Sequence, residues 1–441
     1  MGRAFMLYGP CRPYLPPPMM QHSRLCILII LLFVILMVNY VFVTQVGDAG
    51  WIPLNDSTTN QSSKVIIVGA GSAGLQAAYS LEKLGWDYEL LEASSVYGGR
   101  VKQLPAGAFL DDVPLDVGAE WIHVQPHILQ DLLLFENETV TDETIVYAPR
   151  SHGFFLRGRT RPRNFVRYFQ QDEFKFFNST WYSYFSDYIV PYLDPGKIHY
   201  DSPVGNIDYS GEGVVVTLED GQTTFAGDKV IVAVPLHFLQ DEEIALNPPL
   251  PPSVVTALDS GEWQSGFKVA IEFSHRFYRD MVFPVSLWSL LTGGVQGEEL
   301  YFNAVFGKQT KHQVMGALLV GEEARPFLEG VTTNSPADQE IIFQRVLKKL
   351  DDMFDGRASK YHVKHVVQNW SGERWIGGTY TVNGVLDREP LLGGVDGKVF
   401  FAGEYIAPHQ DDVATVHGAA LSGRQAVNAC ANAIFSSVGS R

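Results

Sequence analysis

The stretch KVIIVGAGSAGLQAAYSLEKLGWDYELLEAS, Lys64 to Ser94, constrains the fold of this chain more than any other. Val65 to Val68 is a short β-branched run, the pattern of a strand buried on both faces. Gly69, Gly71 and Gly74 follow at G-x-G-x-x-G spacing, and Leu75 to Leu84 repeats with helical period until Gly85 supplies a stop. Tyr88 to Leu91 predicts a second strand that ends on Glu92. Gly69 allows the tight turn, Gly71 lets backbone approach a pyrophosphate, and Gly74 lets helix and strand pack closely. Ser72 and Ala73 open the helix, whose unpaired N–H groups would face the phosphates. Glu92, with Ala93 beside it, is placed to accept hydrogen bonds from a ribose hydroxyl. The pattern therefore points to a dinucleotide site. A bare glycine turn in an empty α/β domain is the plainer alternative.

Composition bounds the rest. With 441 residues and 46% hydrophobic content the chain can bury a large core and make two domains. Its 33 Lys and Arg against 49 Asp and Glu give a net charge of −16, which lacks the basic footprint of a nucleic-acid binder. Of its cysteines, Cys11, Cys26 and Cys430, only the last falls in the globular part, so no disulfide is expected there.

The N-terminus is a separate matter. Leu25 to Val46 is apolar enough, and at roughly 33 Å as a helix long enough, to span a bilayer. Arg3, Arg12 and Arg24 precede it, and no Lys or Arg follows before Lys64, so the positive-inside rule predicts a cytosolic tail and a lumenal or extracellular domain. A signal peptide cleaved near Gly47-Asp48-Ala49, giving a secreted protein, is the rival reading. Sequons at Asn55, Asn60, Asn137, Asn178 and Asn369 suit that side of the membrane. The reading is a tail (1–24), an anchor (25–46) and a polar linker (47–63).

Further motifs follow Glu92. Tyr97 to Val101 reads YGGRV, where Gly98 and Gly99 again permit close backbone approach and Arg100 can bridge phosphate oxygens. Pro114 to His123 reads PLDVGAEWIH. A hairpin with its turn at Asp220-Gly221 leads into a buried strand, Val230 to Val234. Near the C-terminus KVFFAGEY is another buried strand, and HGAALSGRQAVNACANAI a last helix. Nucleotide-site pieces at both ends place the binding domain in 64–122, 196–255 and 396–435, with a substrate domain in 123–195 and 256–395.

The glycine motif with Glu92, Gly98-Gly99-Arg100, Gly118-Ala119-Glu120-Trp121-Ile122-His123, Ala233-Val234-Pro235-Leu236, NPPLPPS, GGTYT and AGEY…HGAALSG occur in this order. Together they resemble the flavin-containing amine oxidases, and most the polyamine oxidase branch, from about Lys64 to Ile434. The resemblance implies a Rossmann-like α/β FAD-binding domain interrupted by an α+β substrate domain with a mixed sheet. It implies non-covalent FAD, because no cysteine lies between Glu404 and Gly423. Gly69, Gly71 and Gly74 would hold the pyrophosphate, Glu92 the ribose and Arg100 the phosphate region. Val204 would meet adenine, Gly118 to Trp121 the isoalloxazine edge, Gly403 and Glu404 the ribitol and phosphates, and Val416 the flavin ring.

The implied reaction passes a hydride from the α-carbon of a neutral amine to flavin N5. The imine then hydrolyses, and O2 is reduced to hydrogen peroxide. Lys268 would hold a water beside N5, and His123 would face the substrate, where its charge can change near neutral pH. Tyr380, Trp121 and Thr415 would line the substrate space, and no metal is called for. Alternation alone sets Lys268 with Gly266 and Ala270, opposite Phe267, Val269 and Ile271, as a solvent-facing residue. Val124 and Thr415 depart from the family pattern and leave the substrate open. An oxidase of another amine or of an amino acid, a desaturase, and an inactive flavin-binding protein are the other readings.

The anchor makes a first prediction. Protease added to sealed microsomes should spare the globular domain; digestion there, with no glycan on any sequon, would count against an N-in, C-out protein.

Overall fold

The computed structural model describes residues 63–438, apart from 106, 109–112, 136–137, 149–151, 157–158, 163–172, 285–296 and 383. The tail, the Leu25 to Val46 stretch, Asn55, Asn60 and Asn137 lie outside the described residues. Among the described residues no helix is long and apolar enough to cross a membrane.

Strand β1 (Lys64–Val68) buries all but its first residue, helix α1 (Ser72–Leu84) follows, and Gly85 ends it in a left-handed turn. β2 (Asp87–Leu91), β3 (Ile198–His199), β4 (Lys229–Val232) and β5 (Val399–Phe401) join β1 in one parallel sheet of order β5-β4-β1-β2-β3. The last helix, α2 (Val416–Val438), packs on α1, and a Cβ added at Gly423 would lie 2.1 Å from the Ala73 carbonyl oxygen. Residues from the later part of the chain thus join the sheet and the helix that follow the glycine turn. β4 is shorter than the expected Val230 to Val234, although the Ala233 N–H still donates to the Val68 carbonyl at 2.8 Å.

A four-stranded sheet carries the expected hairpin, Val214–Leu218 against Thr224–Gly227, and the Asp220 carboxylate accepts the N–H groups of Gln222 and Thr223 at its turn. The substrate half holds a seven-stranded mixed sheet. Its order is His362–Gln368, Gly266–Phe273, Gln313–Gly321, Gly297–Asn303, Met281–Pro284, His152–Leu156 and Arg159–Pro162, and the pair Met281–Pro284 with His152–Leu156 is parallel. Helix Pro336–Phe354 lays Ile342, Phe343, Val346 and Leu350 on the sheet face formed by Phe267, Val269 and Ile271.

Two sequons can be placed. Asn178 is exposed. Asn369 is fully buried and its amide donates to the Thr333 carbonyl at 2.7 Å, so the fold leaves no room for a glycan at that position.

The three motif glycines do different work. Gly69 adopts φ +101° against Ala233, and a Cβ on Gly74 would lie 1.8 Å from the Gly69 carbonyl oxygen. A Cβ on Gly71 meets nothing within 4 Å. Gly74→Ala should therefore destabilise the fold by about 1–3 kcal/mol. Gly71→Ala should leave stability within about 0.5 kcal/mol while weakening flavin retention. Thermal unfolding and flavin content of both variants check this; equal loss of stability would refute the division.

Candidate active site

The nucleotide cradle grows from the glycine turn. Glu92 is buried, and its carboxylate accepts the Ala70 N–H at 2.7 Å and the Ser94 N–H and hydroxyl at 2.9 and 2.6 Å. A carboxylate so fixed still has lone pairs for a ribose hydroxyl. The Gly98 N–H donates to the Ala70 carbonyl at 2.9 Å, which brings Gly99 and Arg100 beside the turn. Ser72 and Ala73 begin α1, which has neither a side-chain cap nor an acidic residue in its first turn, so its N–H groups are available to an anion. Val204 opens a strand that pairs with Leu218, close to where Ser202 bonds the Glu92 carbonyl.

Arg100 does more than face phosphates. It donates to Glu404 at 2.9 Å and to the Thr379 carbonyl at 2.8 Å, and its guanidinium lies 4.9 Å from the centre of the Trp263 ring. The second Glu404 oxygen is buried with no protein partner, and the Gly403 N–H donates to Ser422. Open space before Gly71, an uncapped helix terminus and an orphaned carboxylate oxygen fit a flavin dinucleotide. Glu92, α1, Arg100 and Glu404 would hold it.

The second centre is a buried ion cluster. The solvent-facing position that alternation suggests for Lys268 does not hold. Its strand is paired on both sides, and the face opposite the helix is covered by the Asp116 to Trp121 segment, leaving Lys268 5% exposed. Its ammonium donates to the carbonyls of Asp116 and Gly118, each at 3.0 Å, and to Glu120 at 2.5 Å. Three donors meet three protein acceptors, so a water beside it would have to displace one of them. The other Glu120 oxygen contacts the Lys175 ammonium.

Both lysines lie over the rings of Trp121 and Phe302, 5.5 to 5.8 Å from their centres. Burial works to raise Glu120, but Lys175 and Lys268 hold its carboxyl below the ordinary range. Burial pushes Lys175 down, pushes Asp116 well up, and brings Lys308 to about 8 with help from the Lys175 charge. A Cβ on Gly118 would lie 1.9 Å from the Arg100 carbonyl oxygen, so only glycine lets this segment approach so closely.

One antiparallel bridge, Ile122 with Phe174, sets the third part of the site. It puts Trp121 against Lys175 and His123 against Glu173, where His123 Nδ1 lies 2.9 Å from the carboxylate. His123 is exposed, with 43% of its side chain accessible. Burial works against its charge, but the Glu173 hydrogen bond and the nearby Glu173 and Glu298 charges raise its pKa overall. Tyr380, half-buried, is hydrogen-bonded to Glu298, and burial with that carboxylate pushes its phenol well up.

Thr415 turns inward. Its hydroxyl donates to the Asp412 carbonyl at 2.6 Å and accepts the Gly418 N–H at 3.0 Å, capping α2 just before Val416. Beside it, buried His417 meets Asp412 at 3.1 Å and is close enough to His123 to feel its charge.

Sequence reading missed Lys175, Asp116, Lys308, Glu173 and Glu298. Lys175 carried a usable signal: like Lys268, it is a lysine in an aromatic, strand-forming run, EFKFF. The two glutamates, remote in sequence, carried none.

The chain matches the family described as flavin containing amine oxidoreductase over residues 152–431, and an NAD(P)-binding Rossmann-like domain over 67–133. It belongs to the flavin-containing amine oxidoreductases, and FAD is the cofactor its site fits. Among similar proteins is the human lysine-specific histone demethylase 2, 32% identical over 51% of this chain and 27% of that protein. The lysine-specific histone demethylase 1 homolog 2 of Arabidopsis thaliana is 28% identical over 51% and 29%. The matched region thus spans under a third of these relatives' length. Cyclohexylamine oxidase from Brevibacterium oxydans shares the fold with a TM-score of 0.64 at 16% identity, over 85% of this chain and 100% of that one. A putrescine oxidase redesigned in its cofactor binding gives 0.62 at 16%, over 85% and 99%.

The His123–Glu173 pair makes a prediction with a definite sign. A histidine whose folded pKa is raised contributes stability that is present below its unfolded value of about 6.5. That contribution is lost as pH rises through the raised value. An NMR titration of labelled histidines should find His123 titrating above the ordinary value and Glu173→Gln lowering it; an unchanged midpoint in the variant would refute the pairing.

Proposed function

We propose that this chain is an FAD-dependent amine oxidase acting on a cationic amine, a polyamine foremost, with O2 as electron acceptor. The observation that carries this is the accessible ring of His123, with Glu173 at 2.9 Å and Glu298 close by. An alkylamine carries a positive charge at neutral pH, and losing its hydration on entering requires carboxylates to replace the water. Tyr380, bonded to Glu298, offers a ring edge to a carbon chain. Before oxidation the reacting nitrogen must lose its proton, and a neutral His123 is a group able to receive it. Oxidation should therefore rise with pH as His123 deprotonates. When bound, the flavin accepts the electrons of C–N oxidation and passes them to oxygen. Lys268, bonded to the Gly118 carbonyl, would supply an ammonium near the bound flavin.

A second reading is oxidation of a methylated lysine side chain on a protein, favoured by the similarity to the histone demethylases. Anaerobic stopped-flow bleaching with spermine, spermidine, their acetylated forms, monoamines, amino acids and a methyl-lysine peptide separates the two. We also place the domain on the lumenal or extracellular side, on the strength of Arg3, Arg12 and Arg24 before the apolar stretch.

Lys268→Met should slow turnover on the order of a hundredfold while flavin stays bound. Substrate affinity should change less, because a cationic substrate gains nothing from a neighbouring ammonium. Mixing first with amine and then with O2 separates the half-reactions. If both match wild type within about twofold, Lys268 has no part in the chemistry.

A further inference from the structure

Lys175 and Lys268 are both almost wholly buried and share the faces of Trp121 and Phe302. Two ammonium groups at such range repel strongly in a poorly solvated interior. Between them lies one carboxylate, Glu120, with an oxygen on each. We propose that Glu120 is a positioning residue, a single carboxylate that spans Lys175 and Lys268 and fixes the Lys268 ammonium beside Gly118.

This rests on the amine oxidase reading of the site and adds a residue to it. The geometry is one-sided. Lys175 has one further acceptor, the Ala304 carbonyl at 3.2 Å, whereas Lys268 has two backbone carbonyls at 3.0 Å. Carbonyl dipoles orient an ammonium but do not neutralise it, so the charge of Lys268 is balanced chiefly by Glu120. The other ionisable groups around the cluster are Asp116, Lys308 and Tyr147. Asp116 is raised by burial and is a poor counter-charge; Lys308 adds to the positive side; Tyr147 remains neutral.

Removing the Glu120 charge therefore takes away the chief counter-charge of Lys268 and leaves it facing Lys175, and both changes favour its neutral form. Each pH unit by which the Lys268 pKa falls is a tenfold loss of its charged fraction above that pKa.

The test uses the holoenzyme with Glu120→Gln, Glu120→Asp and the double variant Lys175→Met/Glu120→Gln, which removes one cation together with the anion. The pH dependence of reoxidation by O2 and of the flavin reduction potential are both measured, with thermal midpoints alongside. In Glu120→Gln, a step absent from wild type should appear in both profiles, shifted toward acid by about one pH unit or more. Reoxidation at alkaline pH should fall about tenfold. Glu120→Asp should restore most of the wild-type profile. If Glu120→Gln does not fold, the double variant should show the same step at a smaller shift, because it loses the direct Glu120 contact of Lys268 but also the Lys175 repulsion.

Profiles that follow wild type in Glu120→Gln, or in the double variant where Glu120→Gln does not fold, with only the thermal midpoint lowered, would overturn the proposal and leave Glu120 a structural residue. Lys268→Met serves as the reference. If it does not affect reoxidation, the reading of the site fails; if it does while Glu120→Gln does not, only the role of Glu120 fails.

Discussion

The site depends on a relay of close backbone contacts that begins at the glycine turn. The Ala70 N–H fixes Glu92, and the Ala70 carbonyl receives Gly98. Two residues on, the Arg100 carbonyl receives the Ala119 N–H at 3.2 Å. The Gly118 carbonyl in turn receives the ammonium of Lys268. Each step works only where a glycine lets main chains approach, and a Cβ at Gly74 or Gly118 would overlap a carbonyl oxygen. The dinucleotide cradle and the buried lysine are thus two ends of one contact path, although the residues that form it are widely spaced in sequence.

What could be read from sequence follows from this. Strand, turn, helix, second strand and terminal Glu92 are local, and each carries its own signal in periodicity or glycine placement. The Asp220-Gly221 hairpin and the last helix were legible for the same reason. Lys268 was not settled, because alternation distinguishes the two faces of a strand but not which face is covered. Here the second cover is the Asp116 to Trp121 segment, which no local pattern reveals. Thr415 marks another limit: a threonine before a helix reads equally as wall or cap, and its hydroxyl is used by the cap. The buried Asn369 shows that a sequon records a triplet and nothing about its exposure.

The ion cluster is poorly explained as a stabilising device. Desolvating buried charges offsets most of their attraction, and an apolar replacement of such a triad is often neutral or better for stability. Three lysines are set against two carboxylates, of which burial pushes Asp116 well up, so cation-forming groups are in excess. Such an excess is unfavourable for folding and useful beside a group that gains negative charge during its reaction. The cluster is therefore better accounted for by a functional role than by the fold.

The same short strand divides the charge of the site. In Glu173–Phe176, the bridge between Phe174 and Ile122 sets Glu173 against His123 and Lys175 against Trp121. A carboxylate is delivered to His123 and an ammonium to Glu120, two residues apart. A one-residue slip of this register would exchange the faces and bring neither charge to its partner. Acidic groups thus gather around His123, where Glu173 and Glu298 raise its pKa. Where each charge sits comes from this pairing, not from the overall charge of −16, which by itself favours no particular face.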